Sequence, residues 1–244
     1  MVGWMTWSQT LRGWRPSVEE TQVEGFPLLR VDLPIPRHPK AEARQVLRGA
    51  RRLARAGCRR VLAGPAFDHW AVLEDFGLRP VEAGRLSQAM AAPLILADLN
   101  QRGIPARRAC AALRGTRLTR PCVQAAEILC RQVRQLIIAI PEEGAELAHY
   151  LRAEYGIAVL EGDRPADVTA CFSPVDDHPE GLQLYGARPV LPGLSLTPPG
   201  PDCGIDPAAL AALLWEEGWL KLEDIRIVPK TPAFAGQKGG DCIA

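Results

Sequence analysis

"LIIAIPEEGAELAHYLRAEYGIAVLEGD", residues 136–163, decides the reading of this chain. An apolar run enters a turn, a glycine follows, and an amphipathic stretch leads to a second apolar run that ends in acids. The hydrophobic period switches from strand to helix and back within the segment. Two strands joined by a helix in this way pair in parallel, because the helix returns the chain to the starting edge.

The same alternation extends in both directions. Upstream, "TRPCVQAAEILCRQVRQ" opens at Thr119 and spaces Val123, Ala126, Ile128, Leu129 and Val133 as a helix; "RRACAALRG" (107–115) reads as a strand before it. A long helix is predicted over 84–101, and "LRPVE" reads as an edge strand. "DHWAVLEDFG" (68–77) reads as a helix capped by Asp68 and stopped by Gly77, and "RRVLAG" (59–64) as a buried strand. Residues 39–57 form a helix whose apolar face is Val46, Leu47, Ala50, Leu53 and Ala54, with Gly57 at its end. "LLRVDLP" (28–34) is the first predicted strand. Downstream, "ADVTACFS" (166–173) is a strand and residues 178–204 are rich in Pro and Gly. Asp206, Pro207 and Gly218 then frame a helix, and "WLKLEDIRIV" adds a last strand. Strands and helices alternating at this interval predict an α/β protein with mainly parallel sheets covered by helices, a three-layer α/β/α arrangement.

With 244 residues, 47% of them hydrophobic, the chain can bury a sizeable core. Its longest apolar stretch, residues 90–97, is interrupted by Pro93 and falls short of the roughly 20 residues a membrane span needs. No basic region followed by an apolar run marks a signal peptide. Seven scattered cysteines without a C-x-x-C pair predict reduced thiols in a cytoplasmic setting and argue against a structural zinc site.

A net charge of +1 conceals a strong internal split. Residues 40–134 carry 18 Lys/Arg and 7 Asp/Glu, whereas residues 135–230 carry 6 Lys/Arg and 16 Asp/Glu. The expected organisation follows from this and from the element pattern. Residues 1–25 form an arm that docks through Trp4, Trp7 and Trp14, residues 26–118 a basic lobe, residues 119–230 an acidic lobe, and residues 231–244 a tail.

Residues 136–163, with the helix "LTRPCVQAAEIL" that feeds them, resemble the dinucleotide-binding unit of the Rossmann superfamily, as in two-domain dehydrogenases such as shikimate dehydrogenases and glutamyl-tRNA reductases. The resemblance covers about 55 residues and rests on pattern. It implies two Rossmann-like lobes with ligands beyond the C-terminal strand ends. In that family, the turn's three glycines permit a tight bend, close approach of the pyrophosphate and close helix packing. Ala139, Pro141 and Gly144 hold those positions here, so only the packing glycine remains. Pro141 removes an amide donor, and Glu142 and Glu143 fill the first helical turn. Two carboxylates there repel a phosphate about 4–6 Å away by about 1–3 kcal/mol at a surface-like dielectric. Glu161 and Asp163 fall where a ribose-binding acid would sit. No cofactor is predicted, and NAD(P) binding is not expected. Only "GDRPA" separates the next two strands, too few residues for a helical crossover, so either the crossover is lost or the strands pair antiparallel.

Three further constellations carry chemistry. Asp68 and His69 follow one strand, and Asp176, Asp177 and His178 follow another; were the loops to converge, they could bind a metal or act as acid and base, and otherwise they are caps and turns. Arg44, Arg48, Arg51 and Arg55 step by 4, 3 and 4 along one helix face. That face is solvated, binds anions or nucleic acid, or docks on acidic protein surface in cis or trans; the lack of interleaved aromatics argues against nucleic acid. Nucleophile-elbow, Walker and H-E-x-x-H motifs are absent. The leading expectation is a non-enzymatic protein with a degenerate nucleotide site, acting through protein contacts or self-association. The alternatives are an NAD(P)-dependent oxidoreductase with an interlobe site, and an anion or nucleic-acid binder.

Overall fold

The computed structural model describes residues 1–8, 15–36, 38–175 and 181–230. Its first half contains β1 (Val2–Ser8), β2 (Ser17–Val23), β3 (Phe26–Pro34), α1 (Pro39–Arg55), β4 (Arg60–Ala63), α2 (Trp70–Glu74) and β5 (Arg79–Pro80). These five strands make one sheet in the order β2-β3-β1-β4-β5, parallel except for the β2–β3 hairpin. The hairpin turns through Glu24 (φ 50°) and Gly25 (φ 79°), the paired left-handed residues that match strand twist.

Residues 2–8 and 17–23 of the expected arm are therefore strands of this sheet, whereas Trp14 and the expected tail, residues 231–244, lie outside the described residues. β1 is the middle strand of the sheet, with Trp4 6% exposed and Arg30 4.7 Å over its ring. A strand buried on both faces shows no polar alternation, so "VGWMTWS" carries no period that announces it.

α3 (Gly84–Ala89) and α4 (Ala91–Gln101) stand where one long helix was predicted. Pro93 lacks an N–H and its ring crowds the carbonyl four residues back, at Ala89, where α3 ends. The expected cap at Asp68 is also displaced. His69 occupies the N-cap of α2, and the Asp68 side chain is 84% exposed. On α1 the buried face is Val46, Ala50 and Leu53, while Leu47 is turned outward.

The second half contains β6 (Cys110–Arg114), α5 (Arg120–Cys130), β7 (Gln135–Ala139), α6 (Glu143–Tyr155), β8 (Ala158–Glu161), β9 (Val168–Cys171), β10 (Leu182–Gln183), β11 (Leu194–Thr197), α7 (Pro207–Glu216) and β12 (Arg226–Pro229). A second five-stranded sheet runs β10-β9-β6-β7-β8 and is parallel throughout; β11 and β12 form an antiparallel ribbon. The α/β class with parallel sheets is as the sequence predicts.

The lobe boundary moves. β6, expected in the basic lobe, is the central strand of the second sheet. Residues 187–210 return to the first sheet, with Ala83 N donating to Ala187 O at 3.1 Å and Asp206 N to Ala63 O at 2.8 Å. One face of the first sheet (Met5, Val31, Leu33, Val61) packs on α1 and α2. Its other face (Val2, Trp4, Leu28, Leu62) joins a core that continues through Leu94, Leu113 and Ile138 to Leu210, Leu213 and Leu214 of α7. Both sheets thus share one hydrophobic cluster.

The short link after β8 resolves as a lost helical crossover, not an antiparallel pair. β8 lies beside β7 and β9 beside β6, so residues 162–167 cross from one sheet edge towards the other. Side chains alternate along a strand, so Arg114 and Ala112 face opposite to the core residues Leu113 and Ala111. On that face the buried Arg114 guanidinium pairs with Asp163 and donates to Arg164 O at 2.9 Å. Asp167 exchanges bonds with Cys110, receiving its amide on Oδ2 at 2.7 Å and donating N–H to its carbonyl at 2.9 Å. The link is strapped to β6 by charge and backbone bonds in place of a packed helix.

Among the described residues the six cysteines are free thiols. Burial pushes Cys122 from its ordinary 9.0 up to about 12, and Cys130, also beside Glu127, up to about 11. A thiol whose folded pKa is raised contributes stability below the unfolded value, and that contribution is lost as pH rises through the folded one. Stability is therefore expected to fall progressively between pH about 9 and 12, read as the urea midpoint against pH. Cys122→Ala flattens that slope; an unchanged slope in this variant refutes the assignment.

Candidate functional site

The turn after β7 bears on nucleotide binding. Gly144 retains its packing role, since a Cβ there would lie 3.2 Å from Ile138 Cγ2 and 3.2 Å from Ile140 Cβ. The remainder of the turn is filled by the chain itself. Glu142 sits at φ 56° and ψ −84°, a conformation that costs a non-glycine residue on the order of 1–3 kcal/mol. Glu143 folds back so that Oε2 accepts the Leu118 amide at 2.8 Å, in the segment leading into α5. Across the same strand ends, Ser173 Oγ accepts from Thr116 N at 2.8 Å. The two acids at and just after the end of β8, Glu161 and Asp163, are engaged by arginines, Glu161 by Arg152 and Asp163 by Arg114.

The Asp68–His69 loop follows β4. His69 Nε2 lies 3.3 Å from Glu42 Oε1 on α1 and 3.5 Å from Asp68 Oδ1, and its ring meets Phe67 edge-on with centroids 5.9 Å apart. Glu42 is a neighbour that sequence spacing did not reveal. Asp176, Asp177 and His178 lie outside the described residues. Among the described residues no group of three His, Cys, Asp or Glu is placed to hold a metal.

Arg44, Arg48, Arg51 and Arg55 are all exposed on α1, with Arg51 6.0 Å from the Phe76 ring centre. Among the described residues, three other arginines reach from the basic half to the acidic half. Arg60 pairs with Glu216 and, at 3.4 Å, with Glu217 at the end of α7. Arg102 donates to Asp167 O at 3.1 Å, and Arg114 pairs with Asp163. Part of the charge split is thus satisfied within the chain.

One feature of the fold escaped sequence reading. A cleft of about 710 Å³ opens beyond the C-terminal ends of β4 and β5, between the 64–70 loop, residues 187–210 and the β11–β12 ribbon. Arg188 sits 5.1 Å over the Trp70 ring and donates Nη2 to Phe67 O at 2.9 Å, while Trp70 Nε1 donates to the same carbonyl at 3.1 Å. The Pro/Gly-rich composition of residues 178–204 does not show that Arg188 returns to a carbonyl 121 residues upstream in the chain.

No protein-family model matches the chain, and no curated protein matches it. Among solved structures it is similar to L-tryptophan dehydrogenase from Nostoc punctiforme, at 12% identity and a TM-score of 0.30 over 70% of this chain and 55% of that one. The catalytic subunit of M. jannaschii aspartate transcarbamoylase is similar at 12% identity and a TM-score of 0.29, over 70% and 60% of the two chains. A shikimate 5-dehydrogenase-like protein follows at 11% identity and a TM-score of 0.24, over 69% and 65%. The chain spans less than two thirds of each of these three, and likeness at this level carries no argument about activity. The Rossmann-like character rests on the two sheets themselves, with their parallel strands and alternating helices.

Proposed function

We propose that the chain is a non-enzymatic Rossmann-like protein whose nucleotide turn is closed by its own carboxylates and which acts through protein contacts. The carrying observation is the Glu143 carboxylate held on the Leu118 amide, with Glu142 beside it at the start of α6. An anion approaching that helix end meets negative charge and a proline where free amides would attract it.

The outward charges supply the means of contact. The exposed arginines of α1 and the exposed glutamates at the N-cap of α6 (Glu142) and along it (Glu143, Glu146 and Glu154) present opposite signs on one molecule. Faces of that kind steer a second copy or a charged partner protein into register more than they add affinity.

Titration with NAD(H) and NADP(H), followed by melting temperature, tests the closed turn. No saturable shift is expected, and binding at micromolar concentration overturns the reading in favour of an oxidoreductase. Glu143→Ala is expected to cost about 1 kcal/mol in urea unfolding by freeing the Leu118 amide, without conferring dinucleotide binding. Sizing at low and high salt tests the contacts: association is expected that weakens as salt screens the two faces. A monomer at every ionic strength removes the self-associating form.

A further inference from the structure

From the cleft beyond β4 and β5 we infer a binding site for a small organic anion with an apolar body, recognised by Arg188. The cleft lies outside the carboxyl ends of parallel strands, where open α/β sheets hold ligands, and its 710 Å³ suits a small molecule. Ala63, Val81, Leu196 and Ile205 line it with apolar surface.

The charges on its walls are unequal in availability. Asp202 Oδ1 already accepts the Gly204 amide at 2.8 Å, and Asp206 Oδ1 accepts the Ala208 amide at 3.0 Å as the cap of α7. Among the described residues, neither Arg188 nor Lys230, the two cations on the walls, is paired with a carboxylate. Arg188 is also held in place. Its guanidinium rests on Trp70, and Nη2 is tied to the Phe67 carbonyl. A guanidinium has five N–H donors in a planar fork, so most remain for a ligand. An arginine fixed in advance loses less conformational freedom when it grips a carboxylate or phosphate. This site stands on different residues from the turn after β7, so its fate is independent of the function proposed above.

Cys203 makes the cleft chemically addressable, because its half-buried thiol lines the wall. The test uses benzoate and phenyl phosphate as probes, benzyl alcohol as the neutral counterpart and inorganic phosphate as the anion without a body. Calorimetry is run on the full chain and on Arg188→Lys, whose fold is checked by circular dichroism. Iodoacetamide labelling of Cys203 and Cys110 is followed by peptide mass spectrometry. At least one aromatic anion is expected to bind with a dissociation constant of about 1 mM or tighter. Benzyl alcohol and inorganic phosphate bind at least about tenfold more weakly, and Arg188→Lys, which keeps the charge but loses the fork, weakens the anion about tenfold. The bound anion slows labelling of Cys203 and leaves Cys110 unchanged. Preference between benzoate and phenyl phosphate assigns the head group. The inference fails if neither anion saturates, if folded Arg188→Lys binds equally, if inorganic phosphate or benzyl alcohol matches the aromatic anions, or if Cys203 is not protected.

Discussion

Leu213→Ala is expected to lower the stability of the whole chain by about 2–5 kcal/mol, seen as a shift of a single urea transition. Leu213 lies on α7 with no exposed surface and belongs to the cluster that includes Trp4 of the first sheet and Leu113 and Ile138 of the second. Deleting three carbons there removes apolar burial and leaves a cavity that surrounding backbone cannot fill. Because the cluster is continuous between the sheets, the loss is felt by both. Two separable lobes would behave differently, with one transition shifting while another stayed in place. Tryptophan fluorescence, which reports in part on Trp4, and far-ultraviolet circular dichroism, which reports on all helices, should therefore give coincident curves for wild type and variant.

Gly84→Ala is the second large effect, expected at about 1–3 kcal/mol. A Cβ at Gly84 would stand 2.6 Å from the Gly186 carbonyl oxygen and 3.2 Å from its amide nitrogen. Both are backbone atoms, so no side chain can swing aside and the start of α3 must separate from the 186–188 segment. Arg188 is two residues from that contact, and its grip on Phe67 O and Trp70 should loosen with it. The expected signature is a lower urea midpoint together with altered tryptophan emission. Gly57→Ala serves as the comparison, because Gly57 has φ 78° but nothing within 4 Å of a new Cβ. It carries only the left-handed backbone penalty of about 1–2 kcal/mol and leaves Trp70 undisturbed. Equal emission changes in the two variants would refute the contact argument.

Local reading succeeded where local forces decide. The Asp206–Pro207 start of α7 forms as predicted, with Asp206 accepting the Ala208 amide at 3.0 Å. Gly144 packs α6 on its strand for want of a Cβ, also as predicted. The reading failed where a residue's environment comes from far along the chain. "VGWMTWS" looks like an aromatic arm until strands on both sides and cores on both faces surround it. Glu42 comes beside His69 only because α1 and the 64–70 loop fold over the same sheet.

By itself, then, the amino-acid order determined the alternation of strands and helices, the parallel pairing around residues 136–163, the Asp206 cap of α7, and the presence of Ala139 and Pro141 in the turn after β7. Only the tertiary structure decided that β1 is central, that residues 187–210 return to wall a cleft, that Glu143 turns onto Leu118, and that Arg60 meets Glu216. The division has one physical cause. Backbone propensity and capping act within a turn or two of helix, whereas burial and ion pairing are set by whichever distant segments share a face, and that information appears only when the chain closes on itself.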